Sequence, residues 1–156
     1  MAIGKLAVTS AAIKEGATID KKFTGDGIDV SPPLSWSKGP PGTKSYAVSC
    51  EDPDAPVGTW WHWILVNVKP DTQQIEENVS KVPVLAGGVA QGMNDFHKVG
   101  YNGPSPPPGK EHHYHFKVKA LDTVLNLKTN SGKEAFTQAV KGHVLAEGEL
   151  IAVYKR

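Results

Sequence analysis

A chain of 156 residues with one cysteine is long enough to bury a core unaided and cannot close an intramolecular disulfide. Seventeen Lys and Arg stand against sixteen Asp and Glu, with both signs scattered, which excludes the basic footprint of a nucleic-acid or membrane-surface binder. No apolar run is long enough to span a bilayer and Met1 to Ile13 carries no signal-like segment, so the expectation is one soluble, cytoplasmic domain over residues 1–156.

Sixteen glycines and twelve prolines are spread along the chain, a pattern of many turns between short strands. Ala17 to Phe23 reads as a strand and Gly25-Asp26-Gly27 as a turn. Ile28 to Trp36 carries Ser31-Pro32-Pro33, whose stiffness predicts an extended segment outside any ladder. Lys38 to Gly42 is a second turn. Lys44 to Glu51 predicts a strand with Tyr46, Val48 and Cys50 on one face, and parity extends that face to Asp52. Cys50 lies in this apolar run and reads as a small buried hydrophobe.

The segment Glu51-Asp52-Pro53-Asp54-Ala55-Pro56 cannot join a central ladder, because its prolines lack the N–H, and is expected to be a rigid loop. Asp52 and Asp54 either shape an Asx-type turn or aim carboxylates at the end of a sheet. Trp60 to Val68 is apolar on both faces, the pattern of a central strand covered on each side. His62 falls by parity with Trp60, Ile64 and Val66, as a satisfied core histidine or as a ligand-binding one.

Asp71 to Lys110 is polar and turn-rich with no periodic element, the length of a functional loop. His112 to Leu121 alternates cleanly. His112, Tyr114, Phe116, Val118 and Ala120 face inward, while His113, His115, Lys117 and Lys119 face out. Ser131-Gly132-Lys133-Glu134 has capping-box spacing before Phe136, Ala139, Val140 and Val144, predicting an amphipathic helix that ends near Gly148, with a short strand from Leu150 to Tyr154. The sum is a mainly β domain with one or two peripheral helices.

If the strand ends meet, Asp52, Asp54, His62, His112 and Tyr114 form a small polar pocket suited to a phosphate or carboxylate, with backbone N–H groups of a Gly-rich loop completing it. Strand parity splits the histidines between faces, so no metal site is expected. Ser35-Trp36-Ser37-Lys38 matches the spacing of acylating serines but lacks its partner motifs. Phosphate-loop and dinucleotide fingerprints are missing too, so no cofactor is expected.

Asp52-Pro53-Asp54-Ala55-Pro56, Trp61-His62-Trp63, Gly103-Pro104-Ser105-Pro106-Pro107 and His112-His113-Tyr114-His115-Phe116 occur in that order. Together they resemble the phosphatidylethanolamine-binding protein family, in its prokaryotic Raf-kinase-inhibitor-like branch. Ser31-Pro32-Pro33-Leu34-Ser35-Trp36, Gly92-Met93-Asn94-Asp95-Phe96 and Ala120-Leu121-Asp122 extend the resemblance over the whole chain. It implies a β-sandwich of a large and a small antiparallel sheet with one or two peripheral helices. It also implies an anion pocket for phosphate, acetate, cacodylate or a phosphoethanolamine head group. Carried over by position, the ligand-binding residues are Asp52, Asp54, Pro56, His62, Gly103, Pro106, Pro107, His112 and Tyr114. The rigid Asp-Pro box adds the expectation of a cis Ala55–Pro56 bond. This sequence departs from many relatives in having His113 in place of an arginine and Ser105 in place of a cysteine.

The reading that follows is a non-enzymatic binding protein for a small anionic ligand, with a regulatory role open to it. The alternative is an inhibitor of a serine protease or a kinase, presenting a segment such as Val82 to Lys110. An Asp/His acid–base enzyme is a third reading, for which no nucleophile or metal is nominated. Neither nucleic acid nor stable membrane insertion is expected, and a homodimer is among the implied assemblies.

Overall fold

The computed structural model describes residues 2–156. In chain order the strands are β1 (Gly4–Lys5), β2 (Val8–Thr9), β3 (Leu34–Trp36), β4 (Ser45–Asp52), β5 (Trp60–Val68), β6 (Gln74–Ile75), β7 (Ala90–Gln91), β8 (His112–Leu121) and β9 (Val144–Tyr154), with one helix, α1 (Lys133–Val140). They build a six-stranded sheet in the order β1-β9-β8-β4-β5-β7 and a three-stranded sheet in the order β2-β3-β6. All pairings between these strands are antiparallel except β1 with β9. This is the mainly β sandwich expected from the pattern of short strands and turns.

The main core lies between the sheets. Tyr46, Val48 and Cys50 of β4, Trp63 and Leu65 of β5 and Phe116, Val118 and Ala120 of β8 pack there against Val8, Leu34 and Trp36 of the small sheet. On the far face of the large sheet, Ala47, Ile64, Val66 and Leu121 are covered by Phe136 and Val140 of α1 and by Leu125. The central strands are therefore apolar on both faces at this end, as the continuous run in β5 predicts.

Two bulges interrupt the pairing of β4 with β5. Between Cys50/Trp63 and Glu51/Trp61 the partner strand has no residue opposite His62. A bulge of this kind reverses the side-chain parity beyond it. Trp63 thus faces the main core and Ile64 the α1 side, while His62 packs against Tyr114 on the main-core side. The strict alternation that grouped His62 with Ile64 and Val66 is corrected by this one extra residue. The second bulge holds Asn67 at φ 64, where its amide accepts from Leu125 N–H and donates to Leu125 C=O, each at 2.8 Å.

Other expectations are revised locally. Ala17 to Phe23 is not a strand: Thr18 alone bridges Val153, and Lys21–Phe23 winds into a 3₁₀ turn whose Lys22 N–H donates to the Asp20 carboxylate at 2.9 Å. Leu34–Trp36 does join a ladder, pairing with both β2 and β6, because Pro32 and Pro33 lie outside the paired residues. The capping box does not form. Gly132 is the N-cap without a side-chain bond, and the Ser131 hydroxyl donates instead to Lys128 C=O at 2.6 Å. Helix α1 stops at Val140 rather than near Gly148, since from Val144 onward the chain pairs with β8 along its whole length.

Candidate functional site

Antiparallel order brings the end of β4 beside the starts of β5 and β8. Asp52 pairs with Trp60 and Glu51 with His115, so β8 runs past the last residue of the β4 ladder and offers His112 and Tyr114 to the Asp-Pro loop. A cleft of about 210 Å³ opens there. Its polar residues are Asp52, His62, Ser105, His112 and Tyr114, and its apolar rim comes from Ala55, Pro56, Val57, Trp60, Phe96, Pro106 and Pro107. None of these lining residues is Lys or Arg.

An aromatic row forms one side. The rings of Trp60 and Phe96, Phe96 and His62, and His62 and Tyr114 meet edge-to-face at 5.3 to 5.4 Å, and His112 stacks on Tyr114 at 6.4 Å. Packing of this kind fixes ring planes and leaves the ring nitrogens to be set by their hydrogen bonds. His62 Nδ1 lies 2.6 Å from Asn102 C=O, an acceptor only, so Nδ1 carries the proton and Nε2 is left for the cleft. Burial pulls the His62 pKa below its ordinary value, against the opposing pull of the Asn102 carbonyl and of the Asp52 and Asp29 charges. His112 Nδ1 lies 2.7 Å from Asp52 Oδ2, and both side chains are buried. Asp52 Oδ1 accepts from Asp54 N–H at 2.8 Å, so one carboxylate orients both the histidine and the loop.

Tyr114 is fully buried, and its hydroxyl has no hydrogen-bond partner among the described residues. Burial, joined by the charge of Asp52, holds this phenol far above its ordinary pKa, which keeps it a neutral donor. The Trp60 indole N–H is likewise buried and unpartnered.

The loop from Gly92 to Asn102 is stitched to the free edge of β5 as an improvised strand. Trp61 N–H donates to the Asp95 carboxylate at 2.7 Å, Asp95 N–H to Trp61 C=O at 2.9 Å, and Asn102 N–H to His62 C=O at 3.1 Å. Asn94 ties the loop from within, donating to Gly100 C=O and to the Asn102 side chain while accepting from Phe96 N–H. The proline rim has its own anchors: Gly25 N–H donates to Pro104 C=O at 2.9 Å, and Arg156 Nη1 to Pro106 C=O at 3.2 Å.

Of the nine residues expected at the site, Asp52, Pro56, His62, Pro106, Pro107 and His112 line the cleft together with Tyr114, whereas Asp54 and Gly103 stand behind it. The Asp54 carboxylate accepts from both His113 N–H and His113 Nδ1 at 2.8 Å, prolonging the β4–β8 contact past the end of the ladder. Burial acts to raise the Asp54 pKa, but these bonds and the charges of His113 and Lys110 bring it below its ordinary value. Gly103 N–H donates to the Asp29 carboxylate at 2.7 Å, and a Cβ on Gly103 would lie 2.1 Å from Phe23 C=O. Every peptide bond among the described residues is trans, Ala55–Pro56 included. The cis expectation is corrected, because a trans chain closes this loop through Gly58 N–H to Ala55 C=O at 3.1 Å and Asp54 N–H to Asp52.

Sequence reasoning did not assign Trp60, Phe96, Asn102 or Asp29 to the site. Phe96 had a signal in the Gly92-to-Phe96 box. Asp29 had none, since its role depends on a contact across more than seventy positions to Gly103. Among the described residues no group of three or more His, Cys, Asp or Glu side chains is placed to hold a metal ion.

The phosphatidylethanolamine-binding protein family model matches residues 9–155. The chain belongs to that family. A UPF0098 protein of Methanothermobacter thermautotrophicus is 46% identical over 145 residues, 93% of this chain and 95% of the relative. One from Aquifex aeolicus is 41% identical over 151 residues, 96% of this chain and 88% of the relative. Among solved structures, Escherichia coli YbcL, described as a new member of the mammalian family, superposes with a TM-score of 0.91 at 36% identity, covering 98% of this chain and 99% of YbcL. The Chlamydia trachomatis homolog CT736 superposes with a TM-score of 0.87 at 35% identity, covering 98% and 99% of the two chains. No helix among the described residues is long and apolar enough to cross a membrane.

Proposed function

We propose that the chain is a non-enzymatic binding protein whose cleft takes the oxyanion of a small phosphorylated or carboxylated ligand, such as a phosphoethanolamine head group. The observation that carries this reading is the buried Tyr114 hydroxyl, a donor without an acceptor beside two histidine rings whose Nδ1 atoms are engaged elsewhere. A buried donor left unpaired costs about 1–3 kcal/mol, and a ligand oxygen removes that cost. In its imidazolium form His112 adds an N–H at Nε2, with Asp52 balancing the charge from behind. The apolar rim of Pro56, Trp60, Phe96 and Pro107 excludes water around the head and suits an ester carbon chain.

Histidine ring NMR signals, followed while inorganic phosphate and then phosphoethanolamine are added, test the reading. The His62 and His112 rings shift together and saturate, while the His113 and His115 rings, bonded to Asp54 and Glu149 outside the cleft, stay in place. Unchanged His62 and His112 signals refute it.

A further inference from the structure

We infer that the cleft prefers oxyanions that carry an acid proton, such as a monoanionic phosphomonoester, over fully ionised oxyanions of the same shape and charge. The inference rests on the oxyanion reading of the cleft and adds the protonation state of its ligand. Its basis is the hydrogen-bonding of His62. Asn102 C=O, 2.6 Å from Nδ1, accepts and cannot donate, so the ring's proton stays at Nδ1, and the neutral ring, which lines the cleft, keeps its lone pair at Nε2. A ligand oxygen beside that lone pair must bring a proton. A bare oxyanion would set acceptor against acceptor in a site where desolvation makes the mismatch expensive.

Protonating His62 instead is opposed by its surroundings. The ring is buried between Phe96 and Tyr114, and burial lowers its affinity for a proton. The titratable and charged groups facing it are Asp52 from β4, His112 and Tyr114 from β8 and Asp29 behind Gly103. Asp52 is already paired with His112 Nδ1 and Asp29 with Gly103 N–H, so neither offers His62 a direct contact. With no Lys or Arg lining the cleft, the imidazolium form of His112 brings one positive charge, already shared with Asp52, which matches a monoanion better than a dianion. A monoanion bearing P–O–H donates to His62 and accepts from Tyr114.

Methyl phosphate and methyl sulfate separate the possibilities, because the monoanion of the first and the second share net charge and tetrahedral shape while only the first carries an acid proton. Binding of each to the wild-type chain is measured by titration calorimetry near pH 6.5 and again near pH 8.5, at constant ionic strength, bracketing the upper side of a phosphomonoester's second ionisation near 6. The expected result is saturable methyl phosphate binding near pH 6.5, with methyl sulfate at least about tenfold weaker. Methyl phosphate then loses about tenfold in affinity per pH unit as its monoanion disappears. Methyl sulfate binding as well as methyl phosphate, or methyl phosphate affinity independent of pH, overturns the inference and leaves the oxyanion site standing. If neither compound binds, the oxyanion reading itself falls, and the inference with it.

Discussion

Replacing Tyr114 by Phe removes one oxygen from the floor of the cleft and should make the free protein more stable while weakening its ligand. The side chain is fully buried, and its ring contacts with His62 and His112 survive the change. What is lost is a hydroxyl with no partner among the described residues. An unpaired buried polar group costs about 1–3 kcal/mol, so the low end of that range, about 1 kcal/mol, is recovered in Y114F. For a chain of this size that is a rise of about 2–4 °C in Tm. Phosphate binding moves the other way, by roughly fivefold or more, since a ligand oxygen loses its donor. Thermal unfolding by calorimetry, without and with phosphate at a fixed concentration well above its Kd for the wild type, reads both effects in one experiment, because a ligand raises Tm by an amount that grows with the logarithm of its affinity for the folded state. A fall in Tm of the free variant would mean that the hydroxyl supports the fold, and an unchanged phosphate-induced shift would mean that it does not touch the ligand. Either result refutes the reasoning.

Two further substitutions probe the supports of the cleft. Gly103→Ala pushes a methyl group to within 2.1 Å of Phe23 C=O and displaces the N–H that holds Asp29; overpacking of this kind costs about 1–3 kcal/mol, read as a lower Tm and weaker phosphate binding, and an unaltered Tm would count against it. Arg156→Ala removes the guanidinium that bonds Asp26 and Pro106 C=O. Hydrogen bonds from Arg156 first, and then Tyr154, hold the Asp26 pKa at about 2 against an ordinary 3.8. A folded-state pKa below the unfolded one stabilises above the unfolded pKa and is lost as pH falls through the folded one. The wild type is therefore the more stable of the pair near neutral pH, and the gap closes between about pH 4 and pH 2, as melting curves across that range will show. A gap independent of pH would indicate that the arginine acts through packing alone.

The strands with regular alternation were legible from the residues. His112 to Leu121 appears as β8 with its inward and outward histidines correctly divided, because its ladder with β9 is unbroken from His112 to Ala120. Trp60 to Val68 was found with the right ends but the wrong face for His62, because a bulge depends on the partner strand and leaves no mark in its own spacing. Helix α1 is shorter than its apolar period suggested, since pairing with β8 outweighs helical propensity from Val144 onward. At the site, the boxes around Asp52, His62 and His112 assembled as their residue types implied. Asp54 and Gly103, whose polar groups look available in sequence, are instead engaged with His113 and Asp29, and only three-dimensional contact decides that.

The improvised strand from Gly92 to Asn102 has a consequence for how fast a ligand comes and goes. Hydrogen bonds at both ends of the bulge, from Trp61 to Asp95 and from Asn102 to His62, fasten the wall that carries Phe96 to the sheet. The cleft is a preformed dish with an open mouth. If the cleft takes an anion as proposed, entry requires no slow opening step, and affinity differences among ligands reside in how quickly they leave.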